Sequence, residues 1–203
     1  MNFNEELLIK LMEDVSVSEA TDINISDIPC VDLYMDQVTS FFEDKLRGFK
    51  RDDEDKILTK TMINNYAKDK ILLPVKNKKY NKENMILLTL IYHLKQVLSI
   101  NDINSLLTPM LKGLDDKEGS KEDIQKIYSE FLKMKKGQES QFKENFTQKL
   151  NLIKETDLGL DKEREDKGEL ILTVLLLINQ ANLQKRMAEK IIDSFFKEVK
   201  EDK

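Results

Sequence analysis

One cysteine, Cys30, and one histidine, His93, occur in the 203 residues. A single thiol forbids an internal disulfide, so nothing in the cysteine usage argues for secretion. One Cys and one His cannot assemble a Cys/His metal site within one chain. Six Gly and three Pro are too few for a sheet-rich chain full of tight turns. The longest strongly apolar run, "LILTVLLLI" at 170–178, is about half the ~20 residues of a membrane helix. It reads as a buried core or interface helix. The first residues, "MNFNEELLIKLMEDV", lack a basic region and a small-residue cleavage site, which leaves a cytoplasmic protein as the expectation.

Constellations that carry chemistry are also missing. There is no Gly-rich phosphate loop, no nucleophile elbow and no triad containing histidine. His93 lies among Leu90, Ile91 and Leu94 on an apolar helix, where a structural role is expected. Cys30, between Pro29 and an apolar helix, reads as a small buried hydrophobe. The carboxylate pairs sit in "DDED" and "KEREDK", which read as solvated charge runs. No enzymatic activity and no cofactor are expected.

What is present is helical spacing. Apolar residues recur every three to four positions, which predicts a mainly α protein. A short amphipathic helix is expected over 4–13, with Leu7, Leu8 and Leu11 on its apolar side. An acidic stretch runs on to Pro29. A helix follows over 31–47, with Leu33, Val38, Phe41, Phe42 and Leu46 as its stripe. Thr59 is the expected N-cap of a second helix, which must end before Pro74. "VKNKKY" at 75–80 reads as a small hairpin or loop. Asn81 caps a helix to about Val97, with Met85, Leu87, Leu88, Ile91, Leu94 and Val97 available to a core. Ser99 opens a short helix before Pro109 through a capping box. Gly113 and "DDKEGS" form a linker. Ser120 is a further capping signal, for helical pattern to about Thr156 that breaks near Gly137. "DLGLDKEREDKG" at 157–168 is a polar connection, and a last helix covers about 169–199. The domains expected are an N-terminal segment over 1–28, a central domain over 29–112 and a helical C-terminal domain over 118–203.

Charge is distributed unevenly along this order. Between Lys56 and Lys82 stand eight lysines and one acid, Asp69. That segment carries +7, which leaves −12 for the remainder of a chain whose net charge is −5. A polyanion is the partner such asymmetry suggests, although lysine runs are also ordinary solvated faces. On a helical wheel, Lys60, Thr61, Asn64, Asn65 and Lys68 share one side. Met62, Ile63, Tyr66, Ala67 and Lys70 share the other. The first side holds no acid, unlike a solvated helix laced with Glu–Lys pairs. Asn can read adenine edges, and Lys can meet phosphates or guanine. Lys76, Asn77, Lys78 and Lys79 in the following loop would add phosphate contacts.

The order of these elements resembles the winged-helix DNA-binding domain of MerR regulators over about residues 33–107. Ile63-Asn64-Asn65-Tyr66 stands where that family has Leu-Arg-Tyr-Tyr. Ile71, Leu72, Leu73 and Pro74 stand at its exit, and Tyr80-Asn81-Lys82-Glu83 at its Tyr-Ser-x-Glu. Val97-Leu98-Ser99-Ile100, with Asp102, Ile103, Leu106 and Leu107, matches Gly-Phe-Ser-Leu…Glu-Ile…Leu-Leu. The chain departs from the pattern at Asn64, where the family has arginine, and at Lys70, where it has glycine. Its connection over 47–57 is longer, and its wing is shorter. "DLYMDQVTSFFE", "LTKTMINNYAKDK", "ILLPVKNKKY" and the stretch from Lys76 to Ile103 also resemble a bacterial family, domain-of-unknown-function family 1836. The resemblances imply a MerR-like winged helix-turn-helix with a small two-stranded wing, followed by a C-terminal helical bundle. They imply binding of double-stranded DNA by a homodimer joined through its C-terminal helices. The alternative is a helical adaptor that keeps the scaffold and binds protein partners.

Overall fold

The computed structural model describes residues 4–16, 22–112 and 118–197. The protein is mainly helical: α1 (Glu5–Ser16), β1 (Leu33–Tyr34), α2 (Met35–Leu46), α3 (Lys60–Lys68), β2 (Lys79–Tyr80), α4 (Lys82–Leu94), α5 (Ile100–Lys112), α6 (Glu118–Lys154) and α7 (Lys162–Phe195). No described helix is long and apolar enough to cross a membrane. Two compact units emerge. One combines 21–132 with 187–203, the other 1–20 with 133–186.

In the unit of residues 21–132 and 187–203, α4 is the central element. Met85, Ile86, Leu87, Leu88, Ile91 and Tyr92 are all buried. Burial on nearly every side suits a helix this densely apolar. Val38, Phe42 and Leu46 of α2 pack into the same core, as do Ile63 and Tyr66 of α3. Each such side chain contributes about 1.5–3 kcal/mol by leaving water. The capping signals locate the helix starts. Thr59 Oγ1 accepts the Met62 amide at 3.2 Å, and Asn81 Oδ1 accepts the Asn84 amide at 2.9 Å. Ser99 Oγ accepts the Asp102 amide at 3.2 Å and donates to the Asp102 carboxylate at 2.6 Å. Lys197, just past α7, pairs with Asp193 and with Asp102. These hydrogen bonds hold the Asp102 carboxyl below its ordinary range, the Ser99 hydroxyl contributing most.

Two buried polar groups tie distant segments to this core. Tyr128 of α6 donates its hydroxyl to the Ile23 carbonyl at 2.6 Å. Burial pushes the Tyr128 phenol far above its ordinary range, and Asp22 adds to the rise. Asn84 stands in the first turn of α4. Its Oδ1 accepts the Leu73 amide at 2.8 Å and its Nδ2 donates to the Leu73 carbonyl at 3.3 Å. Ile71, Leu72 and Leu73 are buried in succession outside any strand. Their backbone needs partners, and one amide side chain serves both groups of Leu73.

In the other unit, α1 is capped by Asn4, whose Oδ1 accepts the Leu7 amide at 3.1 Å. Met12 packs with Phe146 and Leu150 of α6, joined by Leu8, Ile9, Phe142 and Leu177. Of the expected apolar side Leu8 packs inward, whereas Leu7 and Leu11 face solvent.

Several expectations yield to longer-range forces. Leu33 and Tyr34 are not helical, because they pair antiparallel with Tyr80 and Lys79. Val97 lies exposed beyond the end of α4. Helix α5 continues through Pro109 to Lys112. Helix α6 starts at Glu118, so Ser120 lies inside it, and it is unbroken at Gly137. A glycine costs about 1 kcal/mol against alanine there, far less than ending a 37-residue helix. Helix α7 starts at Lys162 because Asp161 caps it, accepting the Arg164 amide at 3.2 Å. The polar connection is therefore shorter than expected. Cys30 is exposed, since the turn before β1 buries Ile28 and turns the thiol outward. Of the expected linker over 113–120, residues 113–117 lie outside the described residues and 118–120 are helical instead, as the first residues of α6; the end of the last helix at 198–199 lies outside the described residues.

Replacing Asn84 with Leu leaves the Leu73 amide and carbonyl unpaired in the core. Urea denaturation should show a loss of about 3 kcal/mol, against less than 1 kcal/mol for an exposed control such as Asn101→Leu. The raised phenol of Tyr128 binds its proton more tightly in the folded state. Its contribution is complete below pH ~10 and is lost as pH rises further. Tyr128→Phe should lower stability at pH 7 and flatten the alkaline decline measured by circular dichroism.

Candidate nucleic-acid interface

The basic segment forms a short helix, a buried exit and a tight hairpin. Along α3, Ile63 and Tyr66 are buried and Met62 is half-buried, which orients the helix. Lys60, Thr61, Asn64, Asn65 and Lys68 are then all exposed. Ala67 and Lys70, placed by the wheel on the inner side, are exposed as well. Lys70 has left the helix by then.

How α3 ends explains the position of Lys70. Its amide donates to the Ala67 carbonyl at 3.2 Å, and the Ile71 amide donates to the Tyr66 carbonyl at 3.1 Å. Lys70 has φ 58°. This is a Schellman termination with its left-handed position occupied by lysine instead of the usual glycine. Ile71 and Tyr66, both buried, supply the accompanying apolar contact. On the far side, Asn104 of α5 donates to the Asp69 carbonyl at 2.7 Å, which further satisfies the helix end.

The hairpin turns at Asn77 and Lys78, with φ 51° and 61°. Two successive left-handed residues make a turn of the I′ kind, closed by Lys79 N–H donating to the Lys76 carbonyl at 2.9 Å. Asn is well suited to the first position; Lys at the second is unusual. Lys76, Asn77 and Lys78 are exposed, and Lys79 is half-buried with its ammonium 4.9 Å from the centre of the Tyr34 ring. The two-stranded sheet joins β2, the return arm of this hairpin, to β1 before α2. Within the hairpin only a single Lys76–Lys79 bridge forms. The expected wing thus owes its second strand to the chain before α2.

Two neighbours that sequence reasoning missed sit close together at the start of α2. Tyr34 underlies Lys79, and the Asp36 carboxylate pairs with the Lys60 ammonium. One short stretch therefore anchors both the first lysine of α3 and the last lysine of the hairpin. Neither partner has a local signal, since both meet lysines far along the chain. Among the described residues no carboxylate pairs with Lys68, Lys76 or Lys78. Lys95 behaves differently: its ammonium donates to the Ile57 carbonyl at 2.6 Å and lies 5.0 Å from the Tyr92 ring centre. Burial lowers its pKa, and its role is to hold the α2–α3 connection.

Chemically this arrangement offers donors and cations to an anion, and little else. His93 packs edge-on against Phe49 and Tyr92, in an aromatic cluster. Among the described residues no group of three His, Cys, Asp or Glu side chains is placed to hold a metal ion.

The profile of one protein family, described as the domain of unknown function DUF1836, matches residues 23–131. No curated protein and no solved structure matches the chain. The matched stretch, more than half of the chain, contains α2, α3, the hairpin, α4, α5 and the Tyr128 anchor.

Lysine in a left-handed position costs about 1 kcal/mol relative to glycine. Lys70→Gly should therefore raise the midpoint of urea denaturation, and Lys70→Val should lower it. Equal midpoints for all three chains would mean that the helix end is not held in this conformation.

Proposed function

The chain belongs to the DUF1836 family, and from the geometry of this surface we propose that it binds double-stranded DNA as a non-enzymatic regulator with a MerR-like winged-helix domain. The single observation that carries this reading is the outer face of α3. Lys60, Thr61, Asn64, Asn65 and Lys68 stand exposed together on a helix whose outer side has no acid. A helix with that face suits a major groove, where asparagine meets adenine and lysine meets phosphate or guanine. The hairpin supports the reading, because Lys76, Asn77 and Lys78 project from a turn pinned by β1 to the start of α2. Lys79 is committed to Tyr34 and would contribute less. Asp36 screens Lys60, so the helix offers Lys68 as its stronger phosphate contact. Pairing of two chains through their C-terminal helices would present two such helices to successive half-sites.

Against an adaptor that binds acidic proteins through the same lysines, DNA affinity itself decides. Fluorescence anisotropy with a mixed-sequence duplex should show binding at low salt. If about four to five phosphates are neutralised per chain, log K falls with log salt at a slope near −4. Lys68→Ala and Lys78→Ala should each reduce that slope by about 1. Asp36→Asn should tighten binding while moving stability by less than about 1 kcal/mol, since the pair it breaks is exposed. No complex at low salt, or a salt-insensitive one, would sink the reading and leave the adaptor.

A further inference from the structure

A cavity of about 740 Å³ lies behind the end of α3. Residues between Ala67 and Val75 line one side of it, and Asn104, Thr108 and Leu111 of α5 line the other. Both sides belong to the unit of residues 21–132 and 187–203. Small-molecule sites span about 300–1,000 Å³, so the size is suitable. Most of the wall is aliphatic, from Leu72, Leu73, Pro74, Val75 and Leu111. Among the described residues no aromatic ring lines it.

Four polar residues interrupt this wall, and each has bonding capacity to spare. Asn104 Nδ2 donates to the Asp69 carbonyl at 2.7 Å, and Asn104 Oδ1 accepts the Thr108 hydroxyl at 2.9 Å. A carboxamide nitrogen carries two hydrogens, so one is left to donate. The Thr108 oxygen has given up its hydrogen and keeps lone pairs to accept. Asp69 and Lys70 are exposed neighbours of opposite charge, yet among the described residues neither side chain pairs with the other or with a third group. Lys70 stands at this rim with φ 58°, where glycine is the favoured residue. An outlier of that kind points to a role for the side chain itself.

We propose that the cavity binds a free aliphatic α-amino acid of the leucine class. Its carboxylate meets the Lys70 ammonium and the spare Asn104 N–H. Its ammonium meets the Asp69 carboxylate and the Thr108 oxygen. Its side chain lies along Leu72, Pro74, Val75 and Leu111. Opposite charges on neighbouring atoms of the ligand complement opposite charges on neighbouring residues of the protein. A simple carboxylate would leave Asp69 unmatched, and a simple amine would leave Lys70 unmatched. With no ring to stack on, an aliphatic side chain fits better than an aromatic one. The charged rim is exposed, so affinity is modest: about nine non-hydrogen atoms give a Kd on the order of 0.1–1 mM. The site stands apart from the DNA reading, because none of Lys60, Thr61, Asn64, Asn65 and Lys68 lines it.

NMR titration of the full chain with L-leucine should show saturable shifts at the backbone amides of residues 69–73 and 104–108. Leucinamide lacks the carboxylate, isocaproate lacks the ammonium and free glycine lacks the side chain. Each should bind at least about 10-fold more weakly than leucine. Lys70→Gly relieves the strained position and so folds; it should weaken leucine at least about 10-fold and leave leucinamide unchanged. Asp69→Asn keeps the carbonyl that Asn104 holds; it should weaken leucine and leave isocaproate unchanged. No saturable shift up to about 20 mM leucine overturns the site. So does a leucine affinity that Lys70→Gly leaves intact. Isocaproate that binds as tightly as leucine overturns the assignment to an amino acid.

Discussion

The bidentate grip of Asn84 on the backbone of Leu73 governs the geometry of the basic segment. Ile71, Leu72 and Leu73 run buried through the core with a bend at Leu72 and no neighbouring strand to satisfy them. A carboxamide is the one neutral side chain group that accepts and donates with the same spacing as a peptide. A carboxylate would leave the Leu73 carbonyl without a donor, and a hydroxyl is too short to serve both groups. Because Asn84 stands in the first turn of α4, held by the Asn81 cap, the exit from α3 is locked to the most deeply buried helix. The position of α3 upstream and of the hairpin downstream both follow from that lock.

Around this fixed point, turn stability gives way to positive charge. Three non-glycine residues of the described chain have positive φ: Lys70, Asn77 and Lys78. All three lie in the basic segment. Glycine at Lys70 or Lys78 would relieve roughly 1 kcal/mol at each, and the Asn-Gly pair is the favoured sequence for such a hairpin turn. Lysine stands at both places instead. Local consistency is broken where the charge is concentrated, and such departures from the locally favoured residue are expected at working surfaces. The strain is tolerable because the ends are held from outside. Asn104 satisfies the Asp69 carbonyl at the helix end, and β1 pairs with the return arm of the hairpin.

What could be read from the chain beforehand divides along the range of the forces involved. Thr59, Asn81 and Ser99 announced their helices because a cap is a contact three residues long. The stripe Val38, Phe42, Leu46 was legible for the same reason, and so was the outward side of α3. The strand at Leu33–Tyr34 was hidden, because two residues carry no periodicity and their partner lies more than forty positions away. The screening of Lys60 by Asp36 and the seating of Lys79 on Tyr34 are equally non-local. In α1 the pattern offered two overlapping stripes, Leu7–Leu11 and Leu8–Met12. Only the position of Phe146 and Leu150 decides between them.

The same distinction bears on α7. Its apolar run from Leu170 to Ile178 signalled burial on several sides, and the chain itself covers only one of them. A helix of this composition has two ways to satisfy the hydrophobic effect: enclosure by its own chain, or a partner. Enclosure would place Ile171, Val174, Leu175 and Ile178 inward and leave Thr173 and Gln180 to solvent, at a gain of about 1–2 kcal/mol per aliphatic side chain. The observed rotation is the opposite. Leu177 packs with Phe142, Phe146 and Met12, and the buried Thr173 satisfies its hydroxyl on the Glu169 carbonyl. The inner face is thus set by the contact of Leu177 with that cluster, and Ile171, Val174, Leu175 and Ile178 are left exposed.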